Sequence, residues 1–104
     1  MTVRVEATST ATAQLDELDA WWRANRTAAA DRVRDEYNRL VALLASAPSI
    51  GVPYKRRLEK GIRWLRLRKT PYLLYYCYEP GSDLVLIVAV QSGATRTGTA
   101  LRSR

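Results

Sequence analysis

Apolar positions recur at helical spacing in the first part of the chain. The first predicted helix begins at Ala11, after the polar stretch 8–10 that supplies candidate N-caps. Leu15, Leu18 and Trp22 fall at i, i+3 and i+7, which predicts one apolar stripe. The acidic residues are predicted to lie on the other faces: Asp16, Glu17 and Asp19. The pattern is that of an amphipathic helix.

A second amphipathic helix is predicted after a break at residues 25–27. Thr27 is its predicted N-cap, the alanines 28–30 favour helix, and Asp31 suits the positive end of the helix dipole. Its apolar stripe consists of Val33, Tyr37, Leu40 and Leu44. Two prolines and a glycine then predict a loop over residues 46–60.

Strand-like segments flank this helical hairpin. One is Val3 to Ala7, and three follow the loop: Ile62 to Lys69, Tyr72 to Tyr78, and Asp83 to Gln91. Their short connections predict an antiparallel meander, and the nearly continuous apolar run 84–90 is typical of a central strand. We therefore predict an α+β fold with the order β-α-α-β-β-β, a helical hairpin packed on a small, mainly antiparallel sheet.

Length and charge bound the function. A chain of 104 residues, 47% of them hydrophobic, has room for one modest core. We expect a single domain over residues 1–96 and a flexible basic tail over 97–104. The net charge is +7, and residues 51–104 hold eleven Lys and Arg against three acids. Such a field attracts nucleic acid, an acidic protein or an anionic membrane without naming the partner.

The sequence around Cys77, the only cysteine, indicates the cellular compartment of the protein. Cys77 lies in an apolar run, which predicts a buried thiol, and no internal disulfide can form. The chain has no signal-peptide pattern, and no apolar run approaches the ~18 residues that span a bilayer. We expect a soluble, unexported protein of a reducing cytoplasm with no membrane partner.

The most informative local feature is a basic run. Eight of the fifteen residues from Lys55 to Lys69 are Lys or Arg. In a strand, Leu65 and Leu67 share one face, and the opposite face carries Ile62, Trp64, Arg66 and Arg68. Arginines beside an indole bind phosphates and bases, or the carboxylates and apolar anchors of a peptide. The alternative interpretation is an ordinary solvated sheet face.

The sequence contains few residues and motifs suited to catalysis. The sequence has no His, no metal-ligand spacing, no Gly-rich phosphate loop and no nucleophile elbow, so we predict no metal and no cofactor. A proton shuttle would need a Lys, Tyr or Glu with a shifted pKa. Of the two adjacent tryptophans, Trp22 continues the apolar stripe and Trp21 is predicted at its margin.

Several motifs, in this order and spacing, resemble the ParE-type toxins of the RelE/ParE superfamily. They are Leu15 to Leu18 with Trp21 to Arg26, Ala47 to Gly51, Gly61 to Arg63, Pro71 to Tyr76, and Leu84 to Val90. The resemblance covers residues 3 to about 96. It implies the toxin of a bacterial type II toxin–antitoxin pair, neutralised by a ParD-like antitoxin with a ribbon-helix-helix start.

The resemblance leaves two targets open. ParE toxins are associated with poisoning DNA gyrase, and RelE relatives cleave mRNA on the ribosome with the help of a His or Tyr near the C-terminal end. Residues 79–104 contain neither, which favours the ParE-like function, a non-catalytic gyrase inhibitor. Gln91 and Ala94 stand where ParE relatives often have His or Trp and Arg, and Arg96 is the candidate substitute.

The site predictions follow from the resemblance and the basic run. The predicted target-binding residues are Arg63, Arg66, Arg68, Lys69 and Arg96, and the predicted antitoxin-binding residues are Trp21, Arg26 and Trp64. We predict no catalytic residue for the ParE-like function. A RelE-like ribonuclease would use Arg66, Arg68 and Tyr76, and a third possibility is a basic module that only binds its antitoxin or nucleic acid.

Overall fold

Two helices pack against one face of a five-stranded sheet in the computed structural model, which describes residues 2–54 and 61–92. The elements are β1 (Arg4–Ala7), α1 (Ser9–Asn25), a 3-10 turn (Thr27–Ala29), α2 (Arg32–Ser46), β2 (Val52–Pro53), β3 (Ile62–Arg66), β4 (Tyr72–Glu79), a second 3-10 turn (Pro80–Ser82) and β5 (Leu84–Ser92). The predicted α+β class and the β-α-α-β-β-β order are confirmed. The two-residue β2 is an addition within the predicted loop.

The strands lie in the order β1-β5-β4-β3-β2. β1 runs parallel to β5, with Arg4 opposite Leu84, and the other neighbours are antiparallel. β5 is therefore an internal strand, as its apolar run predicts. The two helices return the chain to the end of the sheet where β1 begins, since the Val3 N–H donates to the Ala45 carbonyl at 2.8 Å. The sheet is mixed because the β1–β5 pair is parallel and the other pairs are antiparallel.

The main core lies between the helices and one face of the sheet, here called the helix side. Both predicted helix stripes are confirmed, since these members are buried: Leu15, Trp22, Val33, Leu40 and Leu44. Side chains also alternate between the two faces along β4. Tyr72, Leu74 and Tyr76 join this core, and Leu73 and Tyr75 point to the opposite face.

The opposite face of the sheet, here called the open face, carries a second, smaller apolar cluster. Its buried members are Leu73, Tyr75 and Ala89, and the residues packed against them are Tyr54, Ile62, Trp64 and Val88. On β3, Leu65 packs on the helix side and Trp64 on the open face, which confirms the predicted phase of that strand. The indole of Trp64 thus packs against neighbours and is half-buried.

The start of the second helix differs from its prediction. Thr27 begins a 3-10 turn and α2 begins at Arg32, so Thr27 does not cap the helix. The reason is tertiary, because Trp22 donates its Nε1–H to the carbonyl of Ala29 at 2.9 Å and holds that carbonyl outside an α-helical ladder. The helix propensity of the alanines is overridden by this contact.

A second difference between the prediction and the structure concerns Asp19. It was predicted on an outer face, but its position four residues after Leu15 and three before Trp22 puts it in the buried stripe, where it is 8% exposed. Its Oδ2 accepts hydrogen bonds from Arg23 at 3.1 Å and Arg34 at 3.3 Å. A carboxylate is tolerated there because it is paired across the two helices.

Some predictions lie outside the described residues. They concern the part of the loop at 55–60, Arg96, and the basic tail at 97–104. The strand predicted over residues 62–69 is described as β3 and is shorter than expected. It ends at Arg66 because Leu67 turns into the core and the chain bends over the next four residues, 68–71.

Candidate functional site

Three exposed cations lie at the turn between β3 and β4. Arg66 ends β3 opposite Leu73, on the open face, and Arg68 and Lys69 follow in the bend. Leu67, between them, is 0% exposed and its N–H donates to the Tyr72 carbonyl at 3.0 Å, which closes the turn. Residues 66–69 are called the basic turn below. Its cations point outward because Leu67 is anchored inward.

The basic turn is tied to α2 by Glu36. The Glu36 side chain is 7% exposed, and its Oε1 accepts the backbone N–H of Arg68 at 2.8 Å and a guanidinium N–H of Arg39 at 3.4 Å. Burial opposes ionisation of the carboxyl, but these two donors and the charge of Lys69 outweigh it and lower the pKa of Glu36. Glu36 is therefore a buried carboxylate that accepts the backbone N–H of Arg68 and lies within the influence of the Arg39 and Lys69 charges.

Glu36 was missed in the sequence, although a signal for it exists. It lies three residues after Val33 and four before Leu40, within the apolar stripe of α2. An acid in such a stripe needs a partner, since an unpaired charge there is costly. The pattern thus indicates a buried pair, but it does not reveal that the partner is the backbone of a distant turn.

Arg63 does not belong to the basic turn. It is opposite Tyr76 in the sheet, on the helix side, and its guanidinium donates to the carbonyl of Gly51 at 2.8 Å. This contact ties β3 to the segment before β2. The predicted target-binding set is therefore brought together only in part: Arg66, Arg68 and Lys69 are adjacent, and Arg63 holds a loop.

Tyr76 is fully buried and engaged with the backbone. Its hydroxyl donates to the Pro48 carbonyl at 2.8 Å and accepts the Gly51 N–H at 2.9 Å. Burial raises the pKa of the phenol, against the opposing effects of the Gly51 N–H and the Arg63 charge. The phenol is thus neutral and without access to a substrate, so this geometry gives no support to the catalytic role considered for a ribonuclease.

An apolar groove of about 430 Å³ lies at the end of α1. It is lined by Leu18, Trp21, Trp22, Arg26, Pro71, Tyr72 and Ser92. Trp21 is 47% exposed, at the margin of the helix as predicted, and Trp22 is buried as predicted. We call this the aromatic groove.

The Arg26 guanidinium lies over the two tryptophan rings of the aromatic groove. The Arg26 guanidinium carbon is 5.3 Å from the Trp21 ring centroid and 5.8 Å from that of Trp22, within cation–π range. Tyr72 meets Trp22 edge-on with centroids 6.1 Å apart. Trp64 lies elsewhere, in the open-face cluster beside Tyr75. The three predicted antitoxin-binding residues therefore belong to two surfaces.

The described residues offer little for metal or thiol chemistry. Within residues 2–54 and 61–92 no group of three or more His, Cys, Asp or Glu side chains is placed to hold a metal ion. Burial raises the pKa of the half-buried Cys77 thiol, and the charge of Glu79 adds to the effect. No helix in this part of the chain is long and apolar enough to cross a bilayer.

Solved structures share this fold. A chain of the chromosomal ParDE TA system from P. aeruginosa superposes with a TM-score of 0.70 at 16% identity, covering 88% of this chain and 96% of the other. A chain of the RelBE2 toxin–antitoxin complex from Mycobacterium tuberculosis gives 0.59 at 24% identity, covering 88% and 99%. A chain of the intact E. coli RelBE complex gives 0.65 at 19% identity, covering 90% and 99%.

Comparison of the sequence with known families identifies the family of this protein more specifically than the fold does. No curated protein matches the sequence significantly. Residues 5–96 match the family described as "ParE toxin of type II toxin-antitoxin system, parDE". This match spans most of the chain, including both helices, the basic turn and all of the aromatic groove. The protein is therefore a member of the ParE toxin family of type II toxin–antitoxin systems.

Proposed function

We propose that this ParE-family protein arrests growth in the bacterial cytoplasm by binding DNA gyrase, and that a cognate ParD-like antitoxin neutralises it. The observation that carries the proposal is the basic turn. It displays Arg66, Arg68 and Lys69 as adjacent exposed cations on a backbone anchored by Leu67 and Glu36. A cationic turn with an anchored backbone suits inhibition by binding, since the backbone that carries the contact groups needs little further ordering when the target arrives.

The side chains of the basic turn suit an anionic surface. The two guanidinium groups can bind carboxylates or phosphates in bidentate fashion, and Lys69 adds a more mobile point charge. The net charge of +7 accelerates encounter with such a target at low ionic strength. Inhibition then needs only that the bound toxin occupy a surface that gyrase uses during its cycle.

The aromatic groove suits the antitoxin. Its floor is apolar, and the Arg26 guanidinium at its rim has no ion pair with a carboxylate among the described residues. A segment that offers an apolar anchor next to an acidic side chain complements both features. Trp64 in the open-face cluster is a second contact for an extended segment. The similar folds found in ParDE and RelBE complexes support an antitoxin partner.

The alternative function is ribosome-dependent cleavage of mRNA. It is favoured by one observation, that Arg66 and Arg68 are exposed on a fold shared with RelBE complexes and would also grip RNA phosphates. The burial of Tyr76 weighs against it, because that side chain is one of the three predicted to serve in a RelE-like ribonuclease. A module that merely binds its antitoxin or nucleic acid is the third alternative.

The test compares wild type with the Arg66→Ala/Arg68→Ala double variant in gyrase supercoiling and cleavage-complex assays. Arg4→Ala is the matched control, since Arg4 is also exposed but lies on β1 at the far edge of the sheet. We expect the wild type and the control to inhibit gyrase and the double variant to lose at least about tenfold in potency, equivalent to about 1.4 kcal/mol.

Two outcomes would reject the proposal in different ways. Wild-type protein that arrests growth, leaves gyrase untouched and produces new 5′ ends in primer extension of translated mRNA would establish the ribonuclease function. Normal growth at confirmed soluble expression without antitoxin would establish the inert binding module.

A further inference from the structure

Glu36 links the core of the molecule to its basic surface. It occupies the apolar stripe of α2, yet its Oε1 accepts the Arg68 N–H at 2.8 Å across the space between helix and sheet. Arg39, one turn further along α2, donates to the same oxygen at 3.4 Å. The carboxylate is thus fixed from the helix and directed at the backbone of the basic turn.

The basic turn leads into a bend that is not part of the sheet ladder. The bend covers residues 68–71, and the last β3–β4 pair before it is Arg66 with Leu73. Leu67 and Thr70 are buried and flank the two exposed cations Arg68 and Lys69. The Leu67 N–H bond to the Tyr72 carbonyl closes the turn, and the bond from the Arg68 N–H to Glu36 ties the bend to α2. A charge-assisted bond of this kind is stronger than a neutral one.

We propose that Glu36 is a positioning residue of the toxin: its buried carboxylate holds the backbone of the basic turn at Arg68, so that Arg68 and Lys69 are presented to the target in one arrangement beside Arg66, which the β3–β4 ladder already fixes. This inference rests on the proposed function of the basic turn and adds the residue that orders it. Ordering before binding lowers the entropic cost of the encounter and so strengthens inhibition.

The sign of the change in potency in a Glu36 variant distinguishes a positioning role from a purely electrostatic one. Removing Glu36 takes a negative charge away from Arg39 and Lys69 and raises the net positive charge, which strengthens long-range attraction to an anionic target. A loss of potency in a Glu36 variant therefore reports the lost arrangement of the turn. A gain in potency would show that only the charge of Glu36 matters, and it would overturn the proposal.

The experiment compares Glu36→Ala, Glu36→Gln and the matched control Asp19→Ala. Asp19 is an equally buried acid, 8% exposed against 7%, in the corresponding stripe of α1, but its partners Arg23 and Arg34 lie on the helices. Gln retains an oxygen acceptor for the Arg68 N–H. Each variant is measured for global stability, for hydrogen exchange of the Arg68 amide, and for growth arrest and gyrase inhibition at equal concentrations of folded protein.

We expect Glu36→Ala to speed exchange of the Arg68 amide about tenfold beyond Asp19→Ala and to lower potency by a similar factor. Glu36→Gln should restore part of both. Equal potency of the two alanine variants overturns the proposal, whether or not the Arg68 amide exchanges faster. Wild type that arrests growth without touching gyrase rejects the gyrase target, and growth arrest then still ranks the variants. Wild-type protein that neither arrests growth nor inhibits gyrase overturns both proposals.

Discussion

Tyr76 and Gly51 fit together so closely that position 51 has no room for a side chain. The Tyr76 hydroxyl accepts the Gly51 N–H at 2.9 Å, and a Cβ on Gly51 would lie 2.7 Å from that oxygen and 2.8 Å from Cε1 of the ring. The carbonyl of Trp64 would lie 3.0 Å away. Because the ring is fully buried in the core, it cannot swing aside at low cost.

Gly51→Ala should therefore destabilise the fold. We expect a loss of about 1–3 kcal/mol in the free energy of unfolding, the usual cost of overpacking a filled core. Urea denaturation followed by tryptophan fluorescence measures it. The matched control is Gly81→Ala, where a Cβ would meet nothing within 4 Å. Equal stabilities of the two variants would contradict the close fit.

Tyr76→Phe should reduce stability without reducing the toxicity of the folded protein. The change leaves the Pro48 carbonyl and the Gly51 N–H without their partner, which we expect to cost about 1–3 kcal/mol. Tyr37→Phe is the control, because the Tyr37 hydroxyl makes no hydrogen bond within the described part of the chain. Toxicity abolished in a Tyr76→Phe protein that remains folded would revive a catalytic role for this side chain.

Trp21→Ala should weaken the antitoxin complex and leave the toxin folded. Trp21 is half-exposed at the aromatic groove and supports the Arg26 guanidinium at 5.3 Å. Loss of such an anchor typically costs about 2 kcal/mol, so we expect a roughly 30-fold rise in the Kd of the cognate antitoxin by calorimetry. Ile50→Ala, at a similarly exposed apolar residue away from the groove, is the control. Unchanged affinity in Trp21→Ala would exclude the groove as an antitoxin site.

Stability should depend on pH through Glu36. Burial opposes ionisation, but the Arg68 N–H and the Arg39 guanidinium lower the folded-state pKa below the usual 4.5. The unfolded chain therefore binds a proton at a higher pH than the folded chain, so stability rises with pH between the two values. The contribution is fully present above pH 4.5 and is lost as pH falls through the folded pKa.

The measurement compares urea midpoints of wild type and Glu36→Gln over a pH series. We expect wild type to be more stable at neutral pH by about 1–3 kcal/mol and the gap to narrow below pH 4.5. Glu17→Gln, at an exposed position of α1, controls for the loss of one negative charge. A gap that stays constant with pH would show that Glu36 carries no charge in the fold.

Periodicity predicted what depends on local pattern. The helix stripes through Leu15 and Leu40 and the alternation along β3 were correct, because burying apolar side chains on one face is the dominant constraint on each element. The basic run was also visible in the sequence, but its end at Arg68 and Lys69 was assigned to a strand and lies in a bend. The family resemblance rested on the order of such features and is confirmed by the match over residues 5–96.

Tertiary contacts decided the remainder. The Trp22 indole converted an alanine run of high helix propensity into a 3-10 turn by taking the Ala29 carbonyl. Arg63 and Tyr76 resembled surface and catalytic residues by type, but both became clamps on the backbone around Gly51. Their partners lie 12 to 28 residues away in the chain, so no local pattern could indicate them.

The sequence alone therefore determined the elements, their buried faces and the place where positive charge accumulates, because each follows from spacing along one segment. The structure alone decided that β1 pairs in parallel with β5 and that two acids, Asp19 and Glu36, lie in the core stripes of the helices. A buried carboxylate is stable only where a donor from another element meets it. That meeting, between Glu36 and the Arg68 backbone, is a property of the assembled fold.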